Sequence, residues 1–263
     1  MKISALIITF NEERNIARCI DSLKAVADEI IVIDSFSKDQ TEAICISKGV
    51  KFIQHPFEGF IFQKNFAMLQ ANFNYVLSLD ADECLSKELE ASILKVKETA
   101  NPQKAYAFNR LTNYCGQWIK HCGWYPDRKV RLWHKEWGKW SGKGLHETVK
   151  LKDRLKPNRL DGDLLHYSFH TINDHIEQIH FFTDIGAQSA FDNGERSNIL
   201  KMLIKPAFKL FRDYFLKLGF LDGYYGFIIC ANSSYAKFLK YIKLKEIQNG
   251  KFYLEEEDAN ELY

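Results

Sequence analysis

Hydrophobic and polar positions follow two rhythms in the first half of this chain. Ile3–Ile8 is an apolar run of strand length, closed by Thr9-Phe10-Asn11, after which Ile16, Ile20 and Leu23 recur at helical spacing. Asn11 is placed to cap that helix, and Glu12 and Glu13 in the first turn suit its dipole. Glu29–Asp34 predicts a second buried strand, followed by a polar loop from Ser35 to Thr41. A helix through Ala43, Ile44 and Ser47 leads to Gly49 and a third strand, Val50–Gln54. Another helix around Gln63–Gln70 precedes a strand that ends in Asp80. Strands alternating with helices at this spacing predict an α/β fold with a mostly parallel sheet and right-handed crossovers.

The pattern changes between Arg196 and Lys245. Lysine and arginine recur there, opposed only by Asp213 and Asp222, and interleave with Leu203, Ile204, Phe208, Phe211, Phe215 and Phe220. This predicts a basic amphipathic helical hairpin, broken by Pro206 and by the Gly219–Gly226 segment. Its apolar and cationic faces suit an anionic membrane surface; a helical cap with a solvated lysine face is the other reading. The acidic stretch Glu255-Glu256-Glu257-Asp258 is a solvated end.

Composition narrows the classes. The 263 residues fit one large domain, or a domain with an appendage, and a net charge of +2 gives no basis for nucleic-acid binding. Six scattered cysteines without a C-x-x-C pair indicate a reducing cytosol rather than a disulfide scaffold. Cys115, His121 and Cys122 match no common zinc spacing. Met1-Lys2-Ile3-Ser4 runs directly into a strand, so no secretory signal is expected, and no apolar stretch is long enough to span a bilayer.

The chemistry concentrates where the fourth strand ends. Asp80 and Asp82, flanked by Glu83, stand at the carboxyl end of a strand, where α/β sheets bind ligands. Clustered carboxylates there are costly without a positive partner, and Mg²⁺ or Mn²⁺ takes one or two carboxylates and completes its shell with phosphate oxygens and water. Thr9, Asn11 and Glu12 after the first strand and Asp34 after the second lie at the same end. No G-x-G-x-x-G or P-loop is present, so a metal–diphosphate site takes the place of a glycine-rich phosphate cradle. A loop cap is the alternative reading of both Asp34 and Asn11.

Thr9-Phe10-Asn11-Glu12-Glu13, the Asp34–Thr41 segment and Ser78-Leu79-Asp80-Ala81-Asp82-Glu83 resemble, in order and spacing, the GT-A glycosyltransferases of family 2. Gly59-Phe60, Gln63-Lys64-Asn65-Phe66-Ala67, Gly123-Trp124-Tyr125-Pro126-Asp127 and Arg131-Leu132-Trp133 resemble the lipopolysaccharide inner-core β-glucosyltransferase branch. His146-Glu147, His166-Tyr167-Ser168 and Gly219–Gly223 extend the likeness past residue 220. Phe36 departs from it, standing where relatives often carry glycine.

The resemblance implies a GT-A catalytic domain over 1–168, with a nucleotide-sugar half (1–84) and an acceptor and base half (105–168). A helical, membrane-associating appendage over 169–250 and an acidic tail over 251–263 follow. It implies that Thr9 and Phe10 contact uracil, with Asp34 accepting a hydrogen bond from the ring and Asn11 and Glu12 alongside. Asp80 would contact ribose or the metal shell, Asp82 would bind Mg²⁺ or Mn²⁺, and His166 would complete that site or serve as a structural histidine. Lys64 would contact the diphosphate or a loop, unless it is a solvated surface lysine. Glu147 is the expected base, with His146 as runner-up; both could instead merely cap the acceptor loop. Trp124, Tyr125 and Asp127 would line the acceptor cleft. The implied reaction is inverting, metal-assisted transfer of glucose from a UDP-sugar to a heptose of the lipopolysaccharide core, at the inner face of the cytoplasmic membrane. Transfer to a polyprenyl phosphate and a catalytically silent nucleotide-sugar or glycan-binding module are the alternatives.

Overall fold

A computed structural model describes residues 1–99, 102–143 and 146–250, with only the backbone of Lys143 and His146. The acidic tail therefore lies outside the described residues. In chain order the elements are β1 (Ile3–Thr9), α1 (Ile16–Leu23), β2 (Glu29–Asp34), α2 (Thr41–Ser47), β3 (Lys51–Gln54), α3 (Phe60–Leu69), β4 (Tyr75–Asp80), β5 (Glu83–Leu85) and α4 (Lys87–Lys97). They continue with β6 (Ala105–Tyr114), β7 (Gln117–Trp118), β8 (Asp127–His134), β9 (Gly138–Lys143), β10 (His146–Leu151), β11 (Asn158–Phe169), α5 (Ile172–Asp192), α6 (Ile199–Phe211) and α7 (Gly223–Gln248). The chain divides into two compact units: Met1–Leu111 with Pro126–Tyr167, and Thr112–Tyr125 with Ser168–Tyr263. Residues 112–125, which the sequence assigns to the acceptor half, thus group with the C-terminal helices.

In the first unit, β3, β2, β1 and β4 run parallel, with Thr9 beside Asp34 and Ile8 beside Asp80. All seven residues of β1 are buried. Ile3, Ala5 and Ile7 join the core with Ile16, Ile20 and Leu23 of α1, while Leu6 and Ile8 pack with Ala67 and Met68 of α3. A strand covered on both faces reads as an unbroken apolar run, which is why the sequence shows it so clearly. Beyond β4 the sheet turns antiparallel: β8 pairs with β4 and β6 with β8, and β5 pairs with β11. The parallel pairs β3–β2, β2–β1 and β1–β4 all lie among the four N-terminal strands. β9 and β10 form a separate two-stranded ribbon with Glu147 opposite Gly142.

Asn11 does not cap α1. Asn15 occupies that position without a side-chain cap bond, and Asn11 has a left-handed backbone, φ 52°. Its side chain is used instead to accept from Lys38 N at 2.8 Å.

In the second unit α7 packs against both α5 and α6, burying Ile229, Cys230, Leu239, Leu244 and Ile247. Pro206 does not break α6; it is buried inside that helix, and its carbonyl accepts from Ser234 Oγ of α7 at 2.8 Å. A proline removes one helical hydrogen bond, and packing against α7 outweighs that loss here. The interruption falls later, through a π turn at Arg212–Leu216 and a 3₁₀ turn at Gly219–Asp222. A Cβ on Gly226 would lie 2.0 Å from the Gly219 carbonyl oxygen, so only glycine permits that approach.

Candidate donor and transfer site

The carboxyl ends of β1 and β2 carry two loops joined by side chains. Asn11 N donates to Ser37 Oγ (2.8 Å), Glu12 N to Thr41 Oγ1 (2.9 Å), Glu13 N to Asp39 Oδ2 (3.0 Å) and Gln40 N to Glu13 Oε2 (3.0 Å). Asp34 is fully buried, and its carboxylate accepts from both the amide and the hydroxyl of Ser37. Between these loops Phe10 is 41% exposed and Phe36 is 50% exposed. Phe36 has φ 62°, a left-handed backbone in which glycine is at ease and an L side chain is disfavoured. Thr9 is buried, and its hydroxyl has no hydrogen-bond partner among the described residues.

At the end of β4, Asp80 lies within a buried charge cluster. Lys64 Nζ is 2.9 Å from its Oδ1 and Arg131 Nη2 is 3.0 Å from its Oδ2. The same Arg131 nitrogen lies 2.7 Å from Glu83 Oε1. Burial alone would raise the Asp80 pKa, but Lys64 and Arg131 overcome it and hold the group well below the usual carboxylate range. Burial likewise opposes the charge on Arg131, and Glu83 and Asp80 reverse that effect.

Asp82 faces a different partner. His166 Nε2 of β11 lies 3.0 Å from Asp82 Oδ2, and Tyr167 N donates to the Asp82 carbonyl at 2.9 Å. Burial works against the Asp82 charge, and His166 more than offsets it, so its pKa falls. Nearby Glu12 is pushed up to about 7, by burial first and then by the Asp82 charge. Its Oε2 accepts from Asn15 Nδ2. Among the described residues no group of three His, Cys, Asp or Glu side chains is arranged to hold a metal. Asp82 and His166 nevertheless form an adjacent oxygen–nitrogen pair, and a hard divalent cation with one or two protein donors takes its other ligands from phosphate and water. The residues present fit that kind of site.

Glu147 enters from β10. Lys64 Nζ lies 2.7 Å from its Oε1, so one buried ammonium touches both Asp80 and Glu147. His146 belongs to β10 by its backbone, and its side chain lies outside the described residues. Among the expected acceptor residues, Asp127 in the first unit pairs with Arg110 (2.9 Å) and Lys129 (3.0 Å). Trp124 in the second unit packs edge-on to Tyr114 and His175, and Tyr125 is half-buried there. His121, one of the three residues of the zinc-like spacing, has its Nδ1 on Asp222 at 2.9 Å.

Arg131 and Glu83 join the charge cluster around Asp80, a place that the sequence alone does not give them. Their signal was present: Arg131 stands between Val130 and Leu132-Trp133 in a strand, and a charge in such a run needs a buried partner. Arg18 was missed as well; its guanidinium stacks 3.4 Å from the centre of the Tyr167 ring.

A family model described as glycosyl transferase family 2 matches residues 4–150. A Rickettsia typhi protein described as an uncharacterized glycosyltransferase is 30% identical over 255 residues, covering 94% of this chain and 87% of its own length. The lipopolysaccharide core biosynthesis glycosyltransferase LpsC of Rhizobium meliloti is 27% identical, covering 93% of this chain and 92% of its own. Among solved structures, Staphylococcus aureus TarS aligns with a TM-score of 0.42 at 18% identity, over 70% of this chain and 39% of TarS. Glucosyl-3-phosphoglycerate synthase of Mycobacterium tuberculosis, solved with Mn²⁺, UDP and glucosyl-3-phosphoglycerate, aligns with a TM-score of 0.35 at 22% identity, over 43% of this chain and 44% of its own.

Proposed function

The chain belongs to glycosyltransferase family 2, and on that footing we propose that it transfers glucose from UDP-glucose to a heptose of the lipopolysaccharide inner core, with inversion. Its first unit is a mixed α/β domain of the GT-A type. The observation that carries the reading is the convergence of Glu147 on β10 and Asp80 on β4, two residues before Asp82, on the single ammonium of Lys64. A base and a diphosphate-binding carboxylate cluster on opposite sides of one sugar are what a single displacement requires.

In that reaction the acceptor hydroxyl oxygen bonds to the anomeric carbon as the bond from that carbon to the β-phosphate oxygen breaks. The electron pair leaves with UDP, and the hydroxyl proton passes to Glu147. An α-linked donor then yields a β-linked product. A divalent cation bound at Asp82 and His166 would supply neutralisation of the departing diphosphate. Phe10 offers its exposed ring to uracil, and Thr9, Asn11, Glu12 and Asp34 shape the surrounding pocket. The similarity to LpsC supports a lipopolysaccharide-core acceptor over a polyprenyl phosphate.

The second unit supports working at a lipid surface. Along α6, Ile199, Leu200, Leu203, Ile204, Phe208 and Phe211 are all more than half exposed. Asp213 is buried and paired with Lys209 and Arg212, so the acidic group is turned inward while apolar and cationic groups face out. Such a face suits anionic lipid. No helix among the described residues is long and apolar enough to cross a membrane.

Calorimetric titration of UDP-glucose, with and without Mn²⁺, on the wild type and Asp82→Ala tests the donor. Binding that needs both the cation and Asp82 is the expected result; binding indifferent to both discards the donor assignment. Glu147→Gln should keep that binding and lose turnover. A silent binding module would show no turnover to lose.

A further inference from the structure

We infer that Lys64 is a positioning residue for transfer, setting the Glu147 carboxylate relative to the donor site through Asp80; the inference rests on Glu147 as the base. The sequence suggests an ammonium reaching a diphosphate or lying in solvent. Lys64 is instead 1% exposed, midway along α3, with Nζ 2.7 Å from Glu147 Oε1 and 2.9 Å from Asp80 Oδ1. The ring of Trp140 lies 4.5 Å beneath the same nitrogen. A lysine ammonium has three donors, and two carboxylates and an aromatic face occupy its surroundings here.

Nearby contacts fix this geometry. The adjacent Asn65 grips β9, its Nδ2 donating to the Trp140 carbonyl (3.0 Å) and its Oδ1 accepting from Trp140 N (3.1 Å). β9 in turn holds β10 in register, with Glu147 opposite Gly142. Consecutive residues of α3 therefore hold the ribbon, one by its backbone and one by the reactive side chain. Asp80 is anchored from its other oxygen by Arg131, so the Lys64 ammonium has a fixed post on the donor side.

The arrangement has a chemical consequence. With Oε1 engaged by Lys64, Oε2 of Glu147 is the oxygen left to take the acceptor proton, and its direction is set by the ion pair. Removing Lys64 frees Glu147 to rotate while Asp80 keeps Arg131. The loss should therefore fall on turnover rather than on donor affinity.

A double-mutant cycle tests this, using UDP release from UDP-glucose with a heptose-terminated core acceptor as the assay. Lys64→Met should lower kcat by about 10–100-fold, the range common for residues that orient a ligating or reacting group, with donor KM changed less than about threefold. Adding Lys64→Met to Glu147→Gln should cost little more than Glu147→Gln alone, because both act through one carboxylate. A purely structural role, or contact with the diphosphate, predicts instead that the two losses multiply, or that donor KM rises with kcat intact; either result overturns the inference. Lys64→Arg keeps a cation between the two carboxylates, and is read through the same cycle should Lys64→Met fail to fold. Full kcat in Glu147→Gln would discard the base assignment itself, which separates failure of that reading from failure of the link.

Discussion

The Arg131 guanidinium lies 2.7 Å from Glu83 Oε1, and both side chains are almost wholly buried. Glu83 also has Arg110 at 3.6 Å, while Asp80 is held by Lys64 as well as by Arg131. Deleting one partner of a buried pair leaves an uncompensated charge, which costs about 3–5 kcal/mol. Arg131→Met should lower stability by that amount in urea denaturation. A loss below about 1 kcal/mol would mean that Arg110 and Lys64 suffice to neutralise the cluster.

Gly162 combines φ +89° with a close approach of β11 to the start of α4, where a Cβ would lie 2.2 Å from Leu89 N. Gly162→Ala has to move backbone as well as adopt a disfavoured conformation. A loss of at least about 2 kcal/mol is expected from thermal or urea unfolding. Wild-type stability would show that α4 can shift freely.

Burial pushes the His175 imidazole down from 6.5 to about 4, with Tyr114 Oη 3.0 Å from its Nδ1. Between those two values the unfolded chain binds more protons than the native one, so stability present above pH 6.5 is lost as pH falls towards 4. At 1.36 kcal/mol per unit the loss is roughly 3 kcal/mol. Denaturant midpoints from pH 4 to 7 should show this slope, and His175→Gln should flatten it. Equal slopes would place the acid sensitivity elsewhere.

Leu203 and Phe208 stand about 60% and 55% exposed on α6. Leu203→Glu with Phe208→Glu should reduce sedimentation with phosphatidylserine-containing vesicles at least tenfold, since burying each such side chain contributes about 1.5–3 kcal/mol. Raising the salt concentration should weaken wild-type binding too. Vesicle binding unchanged by the double substitution would rule out this face.

Phe36 keeps an exposed ring in a left-handed conformation that disfavours L residues by about 1–2 kcal/mol. Phe36→Gly should leave thermal stability equal or slightly raised while UDP affinity falls several-fold. Unchanged affinity would show that the ring does not touch the nucleotide.

The sequence made some of this legible and concealed the rest. β1, β2 and β4 were readable because both faces of each are covered, leaving no polar alternation to confuse the pattern. The antiparallel half was harder, since β8 carries Arg128, Lys129 and Arg131 within its length. Asp80 and Asp82 announced themselves by proximity along the chain. The Lys64–Glu147 contact joins residues 83 positions apart, and local spacing contains no record of it. Asn11 misled for the same reason: its side chain looks like a helix cap until the loop holding Lys38 is folded beside it.

The interlaced loops after β1 and β2 have a thermodynamic consequence. The side chains of Asn11, Glu13, Ser37, Asp39 and Thr41 each accept from a backbone amide of the facing loop, within the chain itself. Ordering a loop residue costs about 1–2 kcal/mol of conformational entropy. For these loops that cost falls on folding, before any ligand arrives. A ligand entering here would meet loops already ordered, so its binding would draw on a shape set by folding rather than on the ordering of these loops.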